Sequence, residues 1–188
     1  PQVWLALGIG TVGFGGMFAT FSYISPTMTE LGGFGRATIP LILALYGVGM
    51  TIGAILSGPV SRIGLIRAIT FVLVTIAVML FAFGPAVQAA KWSALVAVFL
   101  LGLLPSVLVP MLQTRLMDVA HEGQALAAAL NHSTLNIANA LGAWLGSIVL
   151  SAGLGYEWPS RVGGILAVAG IGIALWSALL QRSARRAA

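Results

Sequence analysis

The sequence predicts an all-α membrane protein with six transmembrane helices arranged as a 3+3 inverted repeat. Composition is the first observation: 59% of the 188 residues are hydrophobic, only 7% are charged, and mean hydropathy is +1.04. A soluble domain carries roughly 25% charged residues, so the solvent for most of this surface is lipid. The second is the row of six apolar runs, each long enough to cross ~30 Å of hydrocarbon as a helix. The third is small residues recurring at four-residue spacing in the second and fifth runs, which hold equivalent places if three helices repeat as an inverted copy.

The first run extends from Val3 to about Met28 and is interrupted late by Pro26. The second, Ile39 to about Leu56, is expected to end at Pro59, and the third, Ile66 to Phe83, at Gly84-Pro85. The fourth runs from Trp92 to Gln113 with Pro105 and Pro110 inside. The fifth covers Gln124 to Leu154 and the sixth Trp158 to Leu180. Continuous apolar runs without alternation argue against the strands of a lipid-facing barrel. Little chain is left for a soluble domain, so residues 1–188 read as one transmembrane domain. A start at Pro1 with no basic region before the first run does not look like a signal peptide and reads as the beginning of a fragment or of part of a longer chain.

The net charge of +5 does not point to nucleic acid, because the basic residues are scattered singly. Their distribution sets topology instead. Arg62, Arg67, Arg115, Arg182, Arg185 and Arg186 fall on one side, against Arg36, Lys91 and Arg161 on the other. The positive-inside rule then places both ends of the segment in the cytoplasm. Trp92 and Trp158, opening the fourth and sixth runs, fit an outer aromatic belt.

Gly49, Gly53 and Ser57 form a small-residue stripe on the second helix, and Ala138, Gly142 and Gly146 one on the fifth. Such stripes let another helix approach closely, and they are expected to pack against a partner half. Polar groups inside a span are costly and face a cavity or the bundle interior. The fifth helix holds the densest set, and His132, Asn136 and Asn139 share one face at i, i+4, i+7 spacing. That face suits the wall of a substrate path, and His132, mid-helix, is the one titratable group expected deep in a span. Thr20 and Tyr23 on the first helix, Tyr46 on the second and Gln113 near the end of the fourth are further cavity-lining candidates.

The four acids, Glu30, Asp118, Glu122 and Glu157, lie at helix ends or in loops, so proton coupling would fall to His132 or to residues outside the chain. The Asp118–His121–Glu122 loop has metal-capable side chains but reads as solvated polarity, so no metal or other cofactor is expected. Cysteine is absent, which removes thiol chemistry. His132 and Ser133 point to different faces of one helix and form no nucleophile–base pair, and neither Gly-x-Ser-x-Gly nor His-Glu-x-x-His occurs. An enzyme is therefore not expected.

Three stretches carry a resemblance: GFGGMFATFSYISPTMTELGGFG from Gly13 to Gly35, PMLQTRLMDVA from Pro110 to Ala120, and LNHSTLNIANALGAWLGSIVLSAGLGYEWPSRVG from Leu130 onward. Together they resemble the C-terminal six helices of major facilitator superfamily exporters, in the twelve-helix arabinose-efflux and drug–proton antiporter group. The resemblance implies a missing N-terminal half of ~190 residues, a bacterial inner-membrane location, and export of a small organic solute such as a drug by proton antiport. A sugar or nucleoside carrier, or a non-transporting scaffold half, stands as the alternative. The superfamily's loop signature G-x-x-x-D-R/K-x-G-R/K-R/K survives in part as SGPVSRIGLIR. Arg62 and Gly64 match, Ser61 stands at the aspartate, Leu65 and Ile66 replace the last two bases, and Arg67 follows one position later. The gating latch this loop would form lacks its acid.

Overall fold

A computed structural model describes the backbone over residues 2–120 and 124–187, and side chains over 3–118, 125–126 and 128–180. His121 and Glu122 of the metal-capable loop lie outside the described residues. The described residues form helices and no strand, and six of the helices are long and apolar enough to cross a membrane.

The first span is segmented: α1 (Gln2–Gly8), a π-helical turn (Ile9–Gly13) and α2 (Phe14–Phe21), followed by α3 (Ile24–Pro26) and a second π-helical turn (Thr27–Leu31). The break falls at Ser22–Tyr23, where Tyr23 has φ −112° and ψ 17°. It precedes Pro26 for a steric reason. The pyrrolidine ring clashes with the carbonyl four residues back, which is that of Ser22. A short 3-10 turn (Arg36–Thr38) leads into α4 (Ile39–Ser61), and α5 (Leu65–Ala89), α6 (Lys91–Ala120), α7 (Gln124–Ser151) and α8 (Trp158–Ala187) complete the bundle.

Two expected stops do not occur. Pro59 lies inside α4, and Gly84-Pro85 lies inside α5. In a membrane bundle neighbouring helices re-satisfy the groups a proline frees, and α5 packs against both α6 and α8. Gly84 is kept small for a local reason, since a Cβ there would come within 2.9 Å of the Glu157 side chain.

The helix pairs are α4 with α6, α5 with α6 and α8, and α2 with α7 and α8. Exchanging the first three spans for the last three maps this list onto itself, the signature of a 3+3 repeat. The match extends to atoms. A Cβ at Gly49 would strike the carbonyl of Phe99 and approach the amide of Leu103; one at Gly142 would strike the carbonyl of Gly15 and approach the amide of Ala19. One turn later a Cβ at Gly53 would strike the Leu103 carbonyl, while one at Gly146 would strike the Tyr23 ring, with the corresponding Ala19 carbonyl at 3.5 Å. The core between these pairs is aliphatic and aromatic, with Leu73, Ile76, Leu80 and Phe83 of α5 and Leu101, Leu108 and Met111 of α6 essentially sealed.

This packing corrects the reading of the small-residue stripes. Gly49 and Gly53 receive α6, while Ala138, Gly142 and Gly146 receive α2. Helix backbones of the same bundle already occupy them, so they are not the surface that would meet a partner half. The equivalence of the two stripes holds; their destination does not.

Candidate functional site

With its small-residue stripe turned inward, α7 exposes the rest of its circumference. A turn of about 100° per residue divides that helix into three stripes. Thr134, Ala138, Gly142 and Gly146 are buried; Ile137, Trp144 and Ile148 form an exposed apolar stripe; between them stand His132, Asn136 and Asn139, all exposed. The two spans least covered by their own bundle are those of α4 and α7, each 22% buried against 61% for the first span. An amide-bearing stripe thus lies beside an apolar one on a helix its own bundle leaves open. Carboxamides supply both donors and acceptors, as a hydroxyl-rich or otherwise polar solute requires.

Depth sorts these residues. Along α7, Gln124–Ser151, Asn139 stands near the middle, and His132 is eight residues from the start, about 12 Å at 1.5 Å per residue. Gln113, half-buried, lies toward the same end of the bundle, near the close of the span Lys91–Asp118. Tyr46 belongs with Asn139: the register that superposes Gly49 and Gly53 on Gly142 and Gly146 brings these two into equivalence near mid-span.

Two of the first-span candidates are structural in their contacts. Thr20 is buried and its Oγ1 donates to the Gly16 carbonyl at 3.3 Å, so it lines no open space. Tyr23 lays its ring on Gly146 and its hydroxyl donates to the Ala143 carbonyl at 2.9 Å. Ala143 follows Asn139 by one turn, so the tyrosine pins the broken first span to the edge of the polar stripe. The chain break frees Tyr23 to reach across, and Thr27 Oγ1 caps its carbonyl at 2.6 Å. Tyr46 stacks on Phe21, with centroids 4.6 Å apart and planes at 29°, closing α4 against α2.

Sequence reading missed a cavity of about 640 Å³ at the end of the bundle where the first span meets α4. Ser25, Thr29, Glu30, Arg36 and Tyr156 line it. The available signal was Glu30 and Arg36 flanking one short glycine-rich loop. At the opposite end the α4–α5 turn is tight: Gly64 has φ +104° and its amide donates to the Ser61 carbonyl at 3.1 Å. Arg62 and Arg67 flank it, both exposed. Ser61 and Leu65 of this turn border a cavity of about 410 Å³ that reaches Pro110 and Thr114 of α6. Arg115 is buried. Among the described residues no group of three or more His, Cys, Asp or Glu is placed to hold a metal ion.

A family model described as Major Facilitator Superfamily matches residues 5–188. The chain is 34% identical over 167 residues to the inner membrane transport protein YdhP of Escherichia coli strain K12, a match covering 89% of this chain and 43% of that protein. It is 30% identical over 181 residues to the uncharacterized MFS-type transporter YfhI of Bacillus subtilis, covering 96% of this chain and 45% of the other. A probable sugar efflux transporter of Helicobacter pylori strain J99 is 29% identical over 154 residues, 80% of this chain and 38% of that protein. The chain spans about half the length of the curated relatives it matches.

Proposed function

The chain belongs to the Major Facilitator Superfamily, and from that premise we propose that it is the C-terminal half of a secondary transporter exporting a small organic solute across a bacterial inner membrane. An N-terminal six-helix half completes the solute path. The exposed amide stripe of α7, with Asn139 at mid-span, carries the reading, because such groups persist in a membrane only where a cavity or a partner satisfies them. The stripe and the relative named a probable sugar efflux transporter favour a polyhydroxylated solute over an apolar drug. The solute lies between the halves, against Asn136, Asn139 and Tyr46. The other half packs on the exposed remainder of α4 and α7. Both ends of the segment face the cytoplasm, in keeping with the excess of Lys and Arg on that side. Export runs by proton antiport, with the coupling carboxylates in the other half, since the described acids here sit at helix ends. The α4–α5 turn, with Arg62, Gly64 and Arg67, moves as a gate without an acid latch.

The test is accumulation of labelled mono- and disaccharides by everted vesicles carrying the full-length protein, energised by an inward-acid gradient. Gradient-dependent accumulation that falls in an Asn136→Ala, Asn139→Ala double variant supports the reading. Accumulation unchanged by the double variant removes the stripe from the solute path, and accumulation of lipophilic cations alone reverses the choice of solute.

A further inference from the structure

A groove of about 360 Å³ runs along the exposed seam between α5 and α6, outside the site described above. Its walls are Val78, Ala82 and Ala86 on α5 and Trp92, Val96 and Leu104 on α6. Val78, Trp92 and Val96 are 63%, 71% and 49% exposed, so no helix of this half covers it. Two hydroxyls border it, and both are spent on backbone. Thr75 Oγ1 donates to the Phe71 carbonyl at 3.0 Å, while Ser93 Oγ lies 2.6 Å from the Ala86 and 2.8 Å from the Ala90 carbonyl. What remains is an apolar channel with no unsatisfied polar group.

Its length and its ends identify the occupant. From Trp92 to Leu104 is twelve residues, about 18 Å at 1.5 Å per residue, close to the depth of one leaflet of a ~30 Å hydrocarbon core. It starts at the α5–α6 turn, at the membrane boundary, and stops near mid-bilayer. At the boundary end stands a Trp, the residue that sits at headgroup level. Beside it the Lys91 ammonium is held over the Phe34 ring, 5.6 Å from its centroid, on a side chain that is exposed. We propose that the groove is a phospholipid site: one acyl chain lies between α5 and α6, and Lys91 holds the anionic phosphodiester at the mouth. Alanines at positions 82 and 86 make the channel by leaving out the side chains that would fill it.

The experiment reconstitutes the full-length protein in vesicles of phosphatidylethanolamine and phosphatidylglycerol doped with phosphatidylglycerol bearing a diazirine in one acyl chain. Photolabelled residues are then mapped by mass spectrometry. Labelling is expected to concentrate on the seam within residues 75–104. Ala82→Phe and, separately, Ala86→Leu should lower it several-fold, while Ala169→Phe on the exposed face of α8 should not. A basic side chain near an anionic surface contributes ~1 kcal/mol, so Lys91→Gln should lower seam labelling about fivefold. Labelling spread evenly around the bundle, or indifferent to both filling variants, overturns the site. So does replacement of lipid adducts by chain-to-chain adducts at the seam, which would assign it to a second copy, or displacement by a transported solute, which would make it a substrate portal. An undiminished signal in Lys91→Gln overturns the headgroup assignment.

Discussion

Gly142→Ala and Gly49→Ala test the repeat together, because each adds one carbon at an equivalent helix crossing. A Cβ at Gly142 would lie 2.6 Å from the Ala19 amide nitrogen and 2.9 Å from Phe18 Cβ, and nearer still to the Gly15 carbonyl oxygen. Favourable heavy-atom contact needs about 3.5–4.0 Å, so α7 has to withdraw from α2 by about 1 Å. A radial gap of that size forfeits a quarter to a half of each neighbouring dispersion contact, and overpacking of this kind costs about 1–3 kcal/mol. Gly47 is the control. It lies on the same helix as Gly49 with no atom within 4 Å of its Cβ position, so Gly47→Ala should gain up to ~1 kcal/mol of helix propensity. The separation between crossing and open glycines is then about 2–4 kcal/mol, several degrees in apparent melting temperature. The assay is thermal unfolding of the full-length protein in detergent, followed by size-exclusion fluorescence. Gly49→Ala and Gly142→Ala should fall by similar amounts, and leucine at Gly53 or Gly142 should abolish transport while the chain still inserts. If Gly49→Ala and Gly142→Ala melt no lower than Gly47→Ala, the close crossings and the repeat drawn from them are wrong.

Gly64→Ala places a side chain at φ +104° and should destabilise by about 1–3 kcal/mol in the same melting assay, whereas Arg62→Gln in the same turn should leave the melting temperature alone. His132→Gln keeps hydrogen bonding and removes titration. Transport should change in apparent affinity or solute range and still follow a pH gradient; loss of gradient-driven export with exchange retained would instead make His132 the proton carrier. Ser61→Cys should resist impermeant thiol reagents outside intact cells, while Gly33→Cys at the opposite end should react; the reverse pattern inverts the topology.

Much of the architecture is legible in the chain because the bilayer imposes it locally. Hydropathy alone locates all six spans. The shared face of His132, Asn136 and Asn139 is also a property of one helix, since i, i+4, i+7 spacing fixes it before any neighbour is known. The turn at Gly64 follows from the residue's own conformational freedom.

What the sequence by itself determined, then, is the set of spans, their likeness across a repeat and the side chains that share a face. Those depend on hydrogen bonding and apolar length within one segment. Only the tertiary structure decided what each face meets. Gly49 and Gly142 look like surface for a partner until α6 and α2 are seen to occupy them. Tyr23 looks free to bind solute until the break at Ser22 turns its hydroxyl to Ala143. Pro85 looks like a stop until α6 and α8 are seen to brace the helix through it. Each of these outcomes rests on a contact between residues distant in the chain, and spacing along one helix carries no information about which helix lies beside it.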